Sequence, residues 1–545
     1  MLKLRSVSFQ YVCGDEVFCV NTVRSFSNDI VKLDITTVGD VFSADITAEK
    51  EITVTELRAL FEYPFSESDK IFLNGYQSWT DSHEHGIFGK MRGIGQIPDE
   101  ICRRYAFSQY GDYSFAPYGT KGELHGWSYG YIRNNGNYKF LGSLSEDSGF
   151  TRIETFADKG VIQIYKDCAE LSFSGKYAGI RMLITDGTED EVFDDYFRQL
   201  GVTLRPAAKP VFGYTSWYRH YQNINEELLL RDLEGIINQK CKADVFQIDD
   251  GWQTAVGDWL SVDHSKFPNG MRNAAERISA EGITPGLWLA PFVCEENSDI
   301  FQSHKDWLVR DDNGFFVKGG SNWSGFYALD LYNDNVRNYI REVIETAVVH
   351  WGFRLLKLDF LYAVCIQPRS DKTRGQIMAE AMDFLRDCAG DALILACGVP
   401  LASAFGRVEY CRIGCDVSLD WDDKKYMQFM HRERISTKNT VLDSVFRRQL
   451  NGRAFLNDPD VFLLRSDNTS MTGAQRQCLA EINSLTGSVL FTSDNMSEYG
   501  DEQLRLLYGI NKLRSAKLLS ADYDDGILTI SLSLNGKTIK KNYRM

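Results

Sequence analysis

Residues 356–360 read Leu-Lys-Leu-Asp-Phe, and residues 410–416 read Tyr-Cys-Arg-Ile-Gly-Cys-Asp. Each stretch is a short apolar run that carries an aspartate at its carboxyl end, with a cation two or four residues before it. A buried strand is normally apolar, because an isolated charge is costly to move out of water. Two strands that both carry an aspartate and a cation at their carboxyl ends therefore predict two halves of one polar site.

The sequence around these two runs alternates between strand and helix patterns from Val211 onward. Eight strand candidates occupy 211–217, 244–250, 284–290, 355–361, 393–398, 410–415, 453–457 and 488–493. Helical patterns lie between most of them, notably at 225–240, 271–281, 333–350, 373–389, 437–451 and 473–485. Eight such units predict an α/β fold of the (β/α)8 TIM-barrel type. A doubly wound sheet is the alternative, but neither a GxGxxG motif nor a Walker loop supports it.

The chain on either side of this region has a β pattern. Short alternating runs in the first 200 residues are separated by turn residues such as those at 134–137, which predicts a large β-sandwich. A helix at about 189–200 and a proline-bearing linker at 205–210 follow. The last residues alternate again. We therefore predict an N-terminal β domain over 1–200, a catalytic barrel over 201–510 and a small C-terminal β domain over 511–545.

Composition narrows the class of protein. At 545 residues the chain is too long for one hydrophobic core, and 43% hydrophobic and 13% aromatic residues exclude disorder. The net charge of −15 argues against nucleic acid or anionic lipid as a partner. Neither a signal-peptide pattern nor an 18-residue apolar stretch occurs, and the 12 cysteines are scattered. We expect a cytoplasmic protein with reduced thiols and no membrane span.

Active sites of (β/α)8 barrels lie at the carboxyl ends of the strands. The residues at those ends are Trp217, Asp249, Asp250, Trp288, Asp359, Cys397, Asp416, Asp458 and Asp494. Such a rim combines aromatic faces, which accept the apolar C–H side of a sugar, with carboxylates, which accept hydrogen bonds from its hydroxyls. Paired carboxylates in one pocket are typical of glycosidic bond cleavage.

Two ion pairs carry the predicted chemistry. Lys357 and Asp359 lie two residues apart on a strand and project from the same face. The ammonium favours an ionised carboxylate that can act as a nucleophile. The alternative interpretation of this pair is a buried structural ion pair. For Arg412 and Asp416, the alternative is a salt bridge in a loop.

Asp249 and Asp250 form a pair of adjacent carboxylates, which repel each other. The pair indicates a ligand that offers several donors, either sugar hydroxyls or a divalent cation. An N-cap pair that leads into the next helix is the alternative. None of the eight histidines lies in an HxxxH or HExxH arrangement, so zinc has weak support, whereas an all-oxygen magnesium site stays open.

Four motifs together resemble glycoside hydrolase family 36, which belongs to the clan of retaining α-galactosidases. They are residues 246–252, 286–291, 357–360 and 412–416, and they occur in the order that the family shows. The resemblance implies an N-terminal β-supersandwich, a catalytic barrel and a small C-terminal β domain. It also implies that the enzyme needs neither a cofactor nor a catalytic metal.

The resemblance assigns roles residue by residue. It implies that Asp359 is the nucleophile and Asp416 the general acid/base. The substrate-binding residues that it implies are Asp249 and Asp250 at O4 and O6, Lys357 and Arg412 at other hydroxyls, Trp288 as a wall of the −1 subsite, Cys397 near O2, and Trp79 from the N-terminal loop over the barrel mouth. Many members have Lys-x-Asp-x-Asn at the nucleophile, whereas Leu361 stands here at the last position, so the contacts on the acceptor side differ.

The expected reaction is the hydrolysis of terminal α-linked galactose from oligosaccharides or glycoconjugates by double displacement. Retention predicts that the two catalytic carboxyl groups lie about 5–5.5 Å apart, or somewhat more in this clan. An α-N-acetylgalactosaminidase and a transglycosylase are alternatives on the same site. A non-catalytic carbohydrate-binding relative and a metal-dependent barrel hydrolase are alternatives of another class. The sequence leaves open whether the chain is a monomer or a homo-oligomer.

Overall fold

The computed structural model describes residues 2–239 and 242–545. The chain divides into two compact units. Unit 1 comprises the residues up to Tyr76, together with Ser82–Thr203 and Val364–Asp383. Unit 2 comprises Gln77–Asp81, Leu204–Ala363 and Phe384–Met545.

Unit 1 is built around one antiparallel sheet. Its strands are β1 (Lys3–Cys13), β2 (Glu16–Thr22), β3 (Phe26–Ser27), β4 (Val31–Val38), β5 (Val41–Glu62), β6 (Lys70–Leu73), β7 (His85–Gly86), β8 (Glu123–Trp127), β9 (Tyr129–Asn134), β10 (Asn137–Ser143), β11 (Thr151–Phe156), β12 (Val161–Lys166) and β13 (Ser172–Gly187). They pair in the order β7-β6-β9-β10-β13-β5-β12-β11-β8, and the long β5 also pairs with β1 and β4. Helices α1 (Asp99–Tyr105) and α2 (Glu189–Leu200) complete the unit.

Local chemistry explains the elements of unit 1 that the sequence predicts. The turn between β9 and β10 places Asn135 at φ 48° and Gly136 at φ 80°, a left-handed pair that Asn-Gly adopts readily in tight hairpins. Helix α2 occupies the predicted residues and starts with a capping box between Thr188 and Glu191. The apolar residues of alternating strands, such as Val7 and Phe9, are fully buried and form the core.

Unit 2 contains a curled, all-parallel sheet. Its strands are β14 (Val211–Thr215), β15 (Val245–Ile248), β16 (Thr284–Leu289), β20 (Leu355–Leu358), β21 (Leu393–Ala396), β22 (Tyr410–Arg412), β23 (Leu456–Asp458), β24 (Val461–Phe462) and β25 (Val489–Thr492). They pair in the order β23-β22-β21-β20-β16-β15-β14-β25-β24. All eight predicted strands occur, each of them shorter than predicted, and the seventh starts at Leu456 rather than at 453. The close approach of β14 to β15 requires Gly213, because a Cβ there would lie 2.3 Å from the Val245 carbonyl oxygen.

Helices alternate with these strands as the periodicity predicts. They are α3 (Trp217–His220), α4 (Glu226–Ile237), α5 (Gly270–Ala280), α6 (Asp299–Ser303), α7 (Asp334–Glu345), α8 (Arg374–Ala389), α9 (Thr437–Phe446), α10 (Gly473–Thr486) and α11 (Asp501–Leu513). Residues 374–383 of α8 belong to unit 1. The helix predicted over 333–350 continues beyond α7 as a π-helical turn, Thr346–His350. Within residues 2–239 and 242–545, no helix is both long and apolar enough to cross a membrane.

Two small antiparallel sheets complete unit 2. The first joins β17 (Val293–Glu295), β18 (Lys318–Gly320) and β19 (Phe326–Ala328) in an insertion after β16. The second joins β26 (Lys517–Asp524), β27 (Ile527–Leu534) and β28 (Lys537–Arg544) through left-handed Asp-Gly and Asn-Gly turns. The division into units places this second sheet with unit 2, so a separate C-terminal domain stays a prediction.

Candidate active site

The Lys357 ammonium links two of the predicted carboxylates. Its Nζ lies 3.0 Å from Asp249 Oδ2 and 3.8 Å from Asp359 Oδ2. Because β20 lies next to β16, and β16 next to β15, the parallel order brings the ends of these strands together. Burial alone would lower the pKa of Lys357, but the two carboxylates outweigh it and raise the pKa above its usual value. The ammonium is therefore charged at neutral pH.

Asp359 is held by two hydrogen-bond donors and one ion pair and is only 6% exposed. The Trp288 indole N–H donates to Oδ2 at 3.0 Å, and the backbone N–H of Phe360 donates to Oδ1 at 2.9 Å. Phe360 has a φ of 54°, a left-handed conformation that is strained for an aromatic residue. These contacts, with the Lys357 ammonium as the third, fix the orientation of the carboxyl group.

Asp249 accepts hydrogen bonds from its own protein. Its Oδ2 accepts from Lys357 at 3.0 Å, from Thr215 at 3.1 Å and from Gln247 at 2.8 Å. Helix α5 does not begin until Gly270, so the Asp249–Asp250 pair is not an N-cap, and that alternative is wrong.

Asp250 is surrounded by N–H donors from residues that sequence reasoning missed. Oδ1 accepts from Gln253 at 2.6 Å, and Oδ2 accepts from Gln222 at 3.0 Å and from the Trp323 indole at 2.8 Å. Burial raises the pKa of this carboxyl above its usual value, and the hydrogen bonds oppose that effect. Donors of this kind suit a carboxylate that binds hydroxyls, whereas a cation would compete with them.

Trp323 reaches the site from the small sheet inserted after β16. It lies between β18 and β19 and has a φ of 55°, which is unusual and strained for a tryptophan. Its ring centroid is 5.0 Å from that of Phe360 and 6.1 Å from that of Trp288. The insertion lacks a regular periodicity, which explains why sequence reasoning did not select Trp323.

Trp79 and Cys397 form one contact. The Trp79 indole N–H donates to Cys397 Sγ at 3.2 Å, and its ring packs edge-on against Phe360, with centroids 4.9 Å apart. Gly398 has a φ of 58°, and a Cβ there would lie 2.9 Å from the Trp79 ring. The thiol itself is fully buried, so the surface near Cys397 is formed by Trp79.

The pKa of the Cys397 thiol is affected by four of the predicted charged site residues. Burial raises its pKa well above the usual value. The charges of Asp359, Arg412, Lys357 and Asp416 then act on it, the carboxylates raising the pKa and the cations lowering it. The charges of both predicted catalytic carboxylates, at the ends of β20 and β22, therefore act on the same thiol at the end of β21.

The Arg412 guanidinium forms ion pairs with three carboxylates. We call these four residues the Arg412 cluster: Arg412, Asp416, Asp458 and Asp460. The guanidinium lies 2.8 Å from Asp416 Oδ1, 3.0 Å from Asp458 Oδ2 and 3.0 Å from Asp460 Oδ1. Burial alone would lower the pKa of Arg412, but Asp460 and Asp458 raise it well above its usual value. The pair of Arg412 with Asp416 thus belongs to a buried network and is more than a loop salt bridge.

Asp416 is the accessible member of this cluster. Its side chain is 32% exposed, whereas those of Asp458 and Asp460 are 3% and 1% exposed. Sequence reasoning missed Asp460 and Tyr218, whose hydroxyl donates to Asp460 Oδ2. The signal for Asp460 was present, because residues 457–460 read Asn-Asp-Pro-Asp within an apolar run.

The remaining strand-end residues have supporting positions. Trp217 lies in α3, with its ring centroid 5.1 Å from that of Tyr221. Asp494 forms an ion pair with Arg465 at 2.7 Å and accepts hydrogen bonds from the backbone at Leu464 and Arg465. Within the described part of the chain, no group of three or more His, Cys, Asp or Glu side chains is arranged to hold a metal ion.

Sequence comparison finds relatives named as α-galactosidases and one, from Flavonifractor plautii, named as a galactosaminidase. The family description "Melibiase" matches residues 187–382. The α-galactosidase AgaA of Geobacillus stearothermophilus is 24% identical over 264 residues, which are 44% of this chain and 32% of that protein. The chain therefore spans about a third of the length of this curated relative.

Structure comparison extends the similarity over most of the chain. The α-galactosidase TtGalA from Thermus thermophilus, solved with p-nitrophenyl α-D-galactopyranoside, has a TM-score of 0.72 and 26% identity, covering 93% of this chain and 96% of that chain. The family 36 α-galactosidase AgaA from Geobacillus stearothermophilus shares the fold, with a TM-score of 0.58 and 14% identity over 93% of this chain and 71% of its own. These comparisons confirm the resemblance to glycoside hydrolase family 36.

Proposed function

We propose that this chain, which belongs to glycoside hydrolase family 36, is an exo-acting α-galactosidase that retains anomeric configuration. One observation carries the proposal. Asp359 is buried and fixed by Lys357, Trp288 and a backbone N–H, whereas Asp416 is one-third exposed and held by Arg412. The first environment suits a nucleophile, and the second suits a group that exchanges protons with a leaving group and with water.

The proposed reaction has two displacements. Asp359 attacks the anomeric carbon while Asp416 gives its proton to the departing glycosidic oxygen, so that the C–O bond breaks as a β-galactosyl ester forms. Asp416, now a carboxylate, then removes a proton from water, and the resulting oxygen displaces Asp359 from the anomeric carbon. The product is α-galactose, and both carboxyl groups return to their starting protonation states.

Asp249 and Asp250 are proposed to select the galacto configuration. Asp249 shares the Lys357 ammonium with the proposed nucleophile, and Asp250 follows Asp249 in the chain. The axial O4 hydroxyl and the O6 hydroxyl of galactose would donate to the oxygens of the two carboxylates. Lys357 would contact a further hydroxyl, and Trp288 would form the wall of the −1 subsite. Because the Thermus relative was solved with stachyose, an α-galactoside oligosaccharide is the proposed substrate class.

Trp79 disfavours the alternative with a 2-acetamido substrate. The resemblance puts Cys397 near O2, and the Trp79 indole covers that sulfur at 3.2 Å. The larger substituent would therefore need to displace a ring that also packs against Phe360. We propose Trp79 as the residue that faces the 2-position.

The finer architecture is part of the same proposal. We propose a closed (β/α)8 barrel, because β23 pairs with the sixth strand and β24, two residues further on, pairs with the eighth. The N-terminal β-supersandwich over 1–200, the barrel over 201–510 and the C-terminal β domain over 511–545 remain our proposed divisions.

The test is the stereochemistry of hydrolysis. Purified protein is mixed with p-nitrophenyl α-galactoside, and the first anomer of galactose is followed by proton NMR before mutarotation. We expect the α anomer first. Faster hydrolysis of the 2-acetamido analogue would favour the galactosaminidase, and initial β-galactose would contradict retention.

A further inference from the structure

We propose that Asp460 is a positioning residue that sets the pH range in which Asp416 acts as the general acid. It would do so by sharing Arg412 with Asp416 and by fixing the backbone at Val417. The inference rests on the proposed function and adds a residue to it. Neither the four family motifs nor the strand-end pattern selects Asp460.

The first argument is the position of the Asp460 side chain. Oδ1 lies 3.0 Å from the Arg412 guanidinium, whose opposite nitrogen lies 2.8 Å from Asp416. Oδ2 accepts from the backbone N–H of Val417 at 2.8 Å and from the Tyr218 hydroxyl. Asp460 therefore holds both the cation that binds Asp416 and the residue that follows Asp416 in the chain.

The second argument is the way the backbone presents Asp460. Pro459 separates it from Asp458, and its φ of 69° is left-handed, which is uncommon outside glycine. Its own N–H donates to Asp458 Oδ1 at 2.9 Å. The break between β23 and β24 thus turns a second carboxylate towards Arg412.

The third argument is charge. Three carboxylates meet one guanidinium, so the cluster would carry two uncompensated negative charges if every aspartate were ionised. Such charges are costly in a buried site. Burial, partly opposed by Arg412, raises the pKa of Asp460 to about 7. Asp460 therefore changes charge near neutral pH, whereas Arg412, whose pKa is raised well above its usual value, stays charged.

The groups that face Asp460 come from several elements. They are Arg412 on β22, Asp416 beyond its end, Asp458 on β23 and Tyr218 on α3. Asn483 of α10 contacts only the backbone oxygen of Asp460 and carries no charge. When Asp460 is ionised, it draws on the Arg412 charge and so favours the protonated form of Asp416.

The substitution Asp460→Asn keeps the size and an acceptor oxygen but removes the charge. Arg412 is then more available to Asp416, so we expect the alkaline limb of the kcat/KM profile to move to lower pH by about one unit. A shift of this order fits the loss of one negative charge beyond a shared guanidinium at an effective dielectric constant of about 20. KM at the acidic side should stay within about twofold, because the sugar-binding residues are unchanged.

The experiment compares kcat and KM from pH 4 to 9 for the wild type, Asp460→Asn and Tyr218→Phe. Tyr218→Phe removes a hydrogen bond that stabilises ionised Asp460. It should therefore move the alkaline limb of the kcat/KM profile to lower pH, by less than Asp460→Asn does. The control Asp232→Asn removes another buried aspartate that accepts from a tyrosine, Tyr214, but lies outside the Arg412 cluster. We expect its limb to coincide with that of the wild type.

The leaving group separates this role from a structural one. Loss of acid assistance should slow the cleavage of an alkyl α-galactoside more than that of a 2,4-dinitrophenyl α-galactoside. Folded variants whose alkaline limbs coincide with the wild type, or which slow both substrates equally, would overturn the inference. If Asp460→Asn does not fold, the shift of the alkaline limb in Tyr218→Phe tests the inference instead. A wild type without α-galactoside hydrolysis at any pH would instead contradict the proposed function.

Discussion

The substitution Lys357→Met tests whether one buried ammonium organises the site. Lys357 is 6% exposed and lies 3.0 and 3.8 Å from two carboxylates. At an effective dielectric constant of about 20, Coulomb's law gives gross attractions of about 5.5 and 4.4 kcal/mol at these distances. Desolvation cancels part of this gain, and loss of one partner from a buried ion pair typically costs about 3–5 kcal/mol. We expect the free energy of unfolding to fall by about that amount.

We expect Lys357→Met to lower kcat/KM as well as the free energy of unfolding. Without the ammonium, Asp249 and Asp359 are two buried carboxylates without their shared cation, and one of them gains from taking a proton. If about 3–4 kcal/mol of this loss appears in the transition state, kcat/KM falls by about 10²–10³-fold. The measurements are denaturant unfolding at pH 7 and the kcat/KM for p-nitrophenyl α-galactoside.

The control is Lys159→Met in unit 1. Lys159 forms an ion pair of similar length, 3.1 Å to Glu123, but its side chain is 57% exposed. An exposed pair contributes about 1 kcal/mol or less. A Lys357→Met protein as stable as this control, with kcat/KM within tenfold of the wild type, would refute the reasoning.

Three further predictions follow from single contacts. Trp323→Phe removes the 2.8 Å hydrogen bond to Asp250 and should raise KM about tenfold with kcat nearly constant, as steady-state kinetics would show; an unchanged KM would contradict it. Gly398→Ala should lower thermal stability more than Gly282→Ala, because both have positive φ but only the first Cβ meets an indole ring, at 2.9 Å; equal losses would contradict this. Asp460, with its pKa raised from 3.8 to about 7, stabilises the fold at low pH, and that contribution is lost as pH rises through 7. Relative to the wild type, Asp460→Asn should therefore be more stable at pH 8 than at pH 5 in denaturant unfolding, and a pH-independent difference would contradict the assignment.

The sequence was sufficient for the order of elements and for the main charged residues of unit 2. Parallel strands are buried on both faces and appear as apolar runs, so a charge at the end of such a run stands out. This contrast predicts Lys357, Asp359 and Arg412 as site residues, and the structure brings each to the end of its strand. The ends of the strands are predicted less accurately than their order. The first strand is predicted over 211–217, whereas β14 ends at Thr215 and Trp217 belongs to α3.

The missed residues have a common physical cause. Trp323 lies in an irregular insertion, and Tyr218 lies in a four-residue helix, so neither carries a periodic signal. Gln222 and Gln253 are uncharged and become informative only when their N–H groups are found at Asp250. Asp460 stands out as a carboxylate within an apolar run, but its contact with Arg412 depends on the left-handed turn after Pro459, which the local sequence does not specify.

The most direct test of the central claim is chemical rescue of Asp359→Gly by azide. The small side chain removes the proposed nucleophile and leaves space for the anion beside Trp288 and Lys357. We expect a nearly inactive protein that regains turnover of an activated α-galactoside in azide and forms β-galactosyl azide. The control Asp416→Gly should give the α-azide, because Asp359 still forms the covalent intermediate. A folded Asp359→Gly protein that azide does not rescue, or that forms the α-azide, would contradict the assignment of Asp359 as the nucleophile.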